Sequence, residues 1–136
     1  MVNRQLPRAA LSLLPVLVLA GFLVGCGKPG PQRYHLSGNI TWDGQPIPAG
    51  IVYFDPDLAA GHDGPQGFAL IKDGRYDTRL DGSGQGGGKY VLRLFAFDGV
   101  PGPETPMGKP LFPEYIVPAE LPAEDGTRDF DIPKDP

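Results

Sequence analysis

Beyond Gln32 the chain alternates between apolar and polar positions. Tyr34, Leu36, Ile40 and Trp42 fall on one side of an extended segment, with His35, Ser37, Asn39 and Thr41 on the other. No window in this region places apolar residues at i, i+3, i+4 and i+7 over three turns, so no amphipathic helix is expected. Ile51-Val52-Tyr53-Phe54 is apolar on both faces, as a central strand would be, and stops at Asp55-Pro56. Segments 68–72 and 75–80 flank Asp73-Gly74, a pair that favours the two-residue loop of a type I′ hairpin. In the second segment Tyr76, Thr78 and Leu80 alternate with Arg75, Asp77 and Arg79, which puts the charged set in water. The strongest strand is 89–97: Tyr90, Leu92, Leu94 and Ala96 face one way, and Val91, Phe95 and Phe97 the other. Weaker runs follow at 112–117 and at 128–132, the latter with Phe130 and Ile132 on one side. Seven short strands separated by turn signals predict an all-β protein, a β-sandwich.

The 20 Gly and 17 Pro gather in the connections. Segment 82–88 reads as a flexible glycine loop, and 99–113, with five prolines, as a stiff crossover or a polyproline-type recognition segment. An apolar content of 40 % and an aromatic content of 10 % weigh against disorder.

The first 25 residues have a different character. Residues 1–8 carry Arg4 and Arg8 and no acid, and 9–24 are apolar apart from Ser12, Pro15 and Gly21. This is the charged and apolar order of a secretory signal peptide, too short for a comfortable membrane span. It ends in Leu23-Val24-Gly25-Cys26, which matches the lipobox of bacterial lipoproteins. In that pattern the aliphatic residue anchors the segment in the peptidase groove. Gly25 lets the enzyme approach the bond between Gly25 and Cys26, and the Cys26 thiol accepts a diacylglyceryl group. With the amine also acylated by a palmitate-like chain, two or three chains give stable anchoring where one would not. Residues 27–32 form a Gly- and Pro-rich tether with a reach of at most about 20 Å. The expected organisation is a signal peptide at 1–25, the lipidated cysteine and tether at 26–33, and a β-sandwich at 34–133. Gly27 follows the cysteine where some Gram-negative bacteria place a retention Asp, and the choice of inner or outer membrane stays open.

Gly38-Asn39-Ile40-Thr41-Trp42-Asp43-Gly44-Gln45-Pro46-Ile47-Pro48-Ala49-Gly50-Ile51-Val52-Tyr53-Phe54 resembles the opening of carboxypeptidase-regulatory-like (transthyretin-like) domains, G-x-V-x-x-x-G-x-P-[IVL]-x-x-[GA]-x-V-x-[FL]. Asp73-Gly74-Arg75-Tyr76 and Gly88-Lys89-Tyr90-Val91-Leu92 are similar to later parts of the same family, over roughly 34–132. The resemblance implies a seven-stranded prealbumin-like sandwich and brings no peptidase activity with it.

Charge and inventory narrow the function. The net charge is −4, and losing Arg4 and Arg8 with the leader lowers it to −6. An acidic chain without basic clusters is poorly suited to nucleic acid. One cysteine excludes an intramolecular disulfide and a multi-cysteine metal site. Asp55, Asp57, His62 and Asp63 cluster in one loop and are weak metal candidates, without the DxDxDG order of a calcium loop. Gly82, Gly84 and Gly87 spell GxGxxG, but a strand follows where a dinucleotide site needs a helix. His35 falls on the outward face of its strand. Ser37, Ser83, His35 and His62 sit in no nucleophile motif, so no enzyme and no cofactor is expected. The chain therefore reads as a membrane-anchored, non-catalytic envelope module for a protein, peptide or glycan partner. The alternative is an accessory sugar- or metal-binding lipoprotein with a concave pocket lined by Tyr53, Trp42 or Tyr115.

Overall fold

The structure is a computed structural model describing Gly25 and residues 27–136. Of the signal peptide expected at 1–25 only Gly25 is described, and Cys26, with the expected lipidation and cleavage site, lies outside the described residues. Residues 27–30 carry no helix or strand, and Pro31–Pro136 is one folded unit.

That unit contains ten strands: β1 (Leu36–Trp42), β2 (Gln45–Pro46), β3 (Ala49–Pro56), β4 (Gly67–Lys72), β5 (Arg75–Asp77), β6 (Gly82–Ser83), β7 (Gly88–Phe97), β8 (Tyr115–Leu121), β9 (Gly126–Thr127) and β10 (Phe130–Ile132). A single 3-10 turn, Leu58–Ala60, is the only helical element among the described residues. The strands form one curled sheet in the order β10-β1-β5-β4-β3-β7-β8, a half-barrel. The seven alternating runs of the sequence correspond to the seven strands of this path. The two-residue strands β2, β6 and β9 hang off it.

Alternation decides which side of each strand enters the core. Leu36 and Ile40 of β1, Val52 and Phe54 of β3, Ala69 and Ile71 of β4, and Tyr90, Leu92, Leu94 and Ala96 of β7 are buried together with Ile47, Tyr76, Phe112, Leu121 and Ile132. Two Asp-Gly pairs make tight turns, that at 73–74 as expected. Asp43 and Gly44 (φ 50° and 74°) join β1 to β2, and Asp73 and Gly74 (φ 49° and 74°) join β4 to β5. Positive φ at both central residues is the type I′ signature, whose twist matches the flanking strands.

The sheet is antiparallel except at its first edge. There β9 and β10 run parallel to β1 at a constant offset of 90 residues, from Leu36↔Gly126 to Trp42↔Ile132. Aspartates lace this seam. Asp125 accepts a hydrogen bond from the His35 N–H (2.7 Å), Asp129 from the Asn39 N–H (2.7 Å) and Asp131 from the Thr41 hydroxyl (2.6 Å).

Four local expectations change. β5 ends at Asp77, because the Asp77 carboxylate accepts the Arg79 N–H (2.8 Å) and its carbonyl takes the N–H groups of Leu80 and Asp81. The chain turns back there, burying Thr78 and leaving Leu80 exposed. The run at 112–117 is displaced to Tyr115–Leu121: Phe112 enters the core from a bend, and Pro118 sits in an edge strand, where a missing N–H is tolerated. Segment 82–88 is packed, not flexible. A methyl group on Gly82 would meet the Phe68 carbonyl, and one on Gly87 (φ 77°) would meet Ala123. The proline-rich segment folds back on itself, with Asp98 accepting the N–H groups of Val100 (2.9 Å) and Lys109 (3.1 Å), and so is no extended polyproline strand.

Candidate functional site

The four metal candidates are given separate surroundings. Asp55 pairs with Arg93 and accepts from Gln66. Asp57 caps the 3-10 turn by accepting the Ala60 N–H (3.1 Å). The His62 ring lies edge-on to Tyr90, with centroids 5.1 Å apart, and its Nε2 is buried without a partner. Asp63 is exposed. Among the described residues no three His, Cys, Asp or Glu side chains converge on a point a metal could occupy.

The other histidine, His35, is half-buried: its Nδ1 lies 3.2 Å from the Thr78 hydroxyl, which also accepts the Leu36 N–H. Nor do the three pocket aromatics meet. Trp42 lies tilted against Phe112, centroids 5.3 Å apart, and, like Tyr115, packs against the core, while Tyr53 points from the opposite face of β3.

That opposite face carries the most distinctive surface. In register across four strands stand Phe68 of β4, Tyr53 of β3, Arg93 of β7 and Ile116 of β8. A second row, Leu70, Ile51 and Phe95, runs beside it. The Arg93 guanidinium lies over the Tyr53 ring, 5.1 Å from its centroid, and reaches Asp55 on one side and Glu114 (3.3 Å) on the other. The hydrogen bond to Asp55 holds the Arg93 proton still more firmly than usual. Phe95 meets Tyr53 edge to face at 6.1 Å, and Phe68 tilts against it at 6.3 Å. Phe68 is 39 % and Ile116 57 % exposed. A planar cation framed by aromatic and aliphatic side chains is the composition found at the centres of protein interfaces.

The signal for this face was present in the alternation, as Val91, Phe95 and Phe97 on the second side of β7. Arg93 and Ile116 carried none, because neither stands out until the register aligns them. Two other concavities are less equipped. A groove of about 510 Å³ along the β1–β10 seam is lined by Asp129 and Asp131, whose carboxylates hold β1. An apolar hollow of about 310 Å³ under the proline-rich segment is lined by Phe97, Met107 and prolines.

No helix among the described residues is long and apolar enough to cross a membrane. Comparison with protein-family models, curated proteins and solved structures gives no match.

Proposed function

We propose that this chain is a bacterial lipoprotein, anchored through acylated Cys26, whose transthyretin-like sandwich is a non-catalytic binding module of the cell envelope. The sequence features of the first 26 residues support the anchor. The seven-strand path with one shared core supports the carboxypeptidase-regulatory-like resemblance. The observation that carries the binding role is the row Phe68, Tyr53, Arg93 and Ile116, aromatic and aliphatic side chains around one arginine on the side of the sheet that the core does not use. Exposing such a row costs solubility and contributes nothing to the core, which is the usual mark of a surface kept for a partner.

The test is photo-crosslinking in intact cells from position 116, compared with exposed position 75 of β5. A discrete adduct from 116 alone supports the module. Equal diffuse labelling from both positions counts against it.

A further inference from the structure

We infer that the β3–β4 loop, residues 57–66, is a membrane-contact element whose tip, Leu58-Ala59-Ala60-Gly61, rests in the headgroup region of the bilayer that holds the lipid anchor. The inference rests on the anchor reading of Cys26 and adds to it an orientation of the domain.

The tip is apolar without interruption, and all four residues are exposed, Leu58 to 73 %. A single exposed leucine is ordinary. Here its setting is not. The Arg33 guanidinium, at the point where the tether joins the domain, donates to the carbonyls of Gln66 in this loop and of Gly84, both at 2.7 Å. Tyr34 bridges Gln85 at the same end. β3 ends there, β4 starts there and β7 starts there, so tether and tip leave the domain from one end of the sheet. Six tether residues reach at most about 20 Å, which confines that end to the vicinity of the lipid.

Three backbone donors at and beside the tip are also already paired within the loop. The Ala60 N–H goes to the Asp57 carboxylate, the Gly61 N–H to the Leu58 carbonyl (3.1 Å) and the His62 N–H to the Asp57 carbonyl (3.0 Å). Donors already satisfied within the loop lose little when water is stripped from the tip. Asp57 and Asp63 flank it and limit entry to the headgroup level. A contact this small would be negligible for a freely diffusing domain. Tethering raises the effective concentration enough for it to set the orientation.

The experiment uses the full lipidated protein reconstituted in phosphatidylcholine vesicles that contain a headgroup-region nitroxide lipid. Thioether formation consumes the Cys26 thiol, so Leu58→Cys or Glu104→Cys accepts a fluorophore at one place. Glu104 belongs to the loop after β7, at the other end of the sheet. Quenching is expected at 58 and not at 104. With the reporter at Ala60→Cys, adding Leu58→Asp is expected to reduce the docked-to-undocked ratio roughly tenfold or more. Equal quenching at 58 and 104 in vesicle-bound protein overturns the inference and leaves the anchor standing. Protein that does not float with the vesicles overturns the anchor itself, and the inference with it.

Discussion

The Tyr76 hydroxyl donates a 2.7 Å hydrogen bond to the Arg128 carbonyl, joining β5 to the short break between β9 and β10. At that break the parallel ladder skips, and Gly38 makes room: a side chain there would collide with the same Arg128 carbonyl. One phenol therefore holds the C-terminal segment against β1 and, through its ring, also packs between Phe54 (6.1 Å) and Phe130 (5.9 Å).

Tyr76→Phe keeps the ring and leaves the carbonyl without its donor. Tyr76 is only 3 % exposed, so replacement water has poor access. A loss of about 1–2 kcal/mol is expected, read as a lowered urea midpoint at unchanged slope.

The same hydroxyl predicts alkaline sensitivity. Burial pushes the Tyr76 phenol well above its usual value of 10.0, and Tyr90 shifts the same way for the same reason. A folded-state value above the unfolded one means the stability is complete below pH 10 and is lost as pH rises past it, because only the unfolded chain releases the protons. Urea midpoints should therefore fall from pH 9 to pH 11, and fall less in Tyr76→Phe than in the native protein. An identical decline in both would show that the phenol is not the cause.

Gly82→Ala tests whether segment 82–88 is packed. The added methyl meets the Phe68 carbonyl across the β4–β6 pair, so a destabilisation of roughly 1–3 kcal/mol is expected. Gly30→Ala is the control, with nothing within 4 Å, and should leave the thermal midpoint unchanged. A tolerated Gly82→Ala would make the segment the loose loop that its composition suggests.

Ile116→Ser with Phe68→Ser separates binding from folding. Both side chains are more than a third exposed and stand outside the core, so stability should change by less than about 0.5 kcal/mol per site. Cross-linking from position 70, in the neighbouring row of the same face, should be lost. Retained cross-linking with unchanged stability would move the binding role elsewhere on the domain.

Much of the architecture was legible because it is a local property of the chain. Alternation is printed in the order of residues, and it identified Tyr90, Leu92, Leu94 and Ala96 as one row, while Asp73-Gly74 marked its own turn. Leu80 and Phe112 show where that logic ends. Leu80 continues the alternation, but Asp77 turns the backbone before the pattern can be used; Phe112 breaks it and is buried all the same.

Glycine shows the same divide from the other side. Seven residues at 82–88, five of them glycine, look like slack, yet several pack against Phe68, Tyr34, Pro65 and Ala123, segments distant in sequence. Composition reports the absence of side chains and says nothing about what fills the space.

The strands, their inward rows and their tight turns follow from residues one to four positions apart, where φ/ψ preference and side-chain period act directly. The parallel seam at a 90-residue offset, the partners of the aspartates, and the alignment of Phe68, Tyr53, Arg93 and Ile116 into one row do not. Those depend on register between segments far apart in the chain, and register is settled by burying all the inward rows at once. No single segment contains that information.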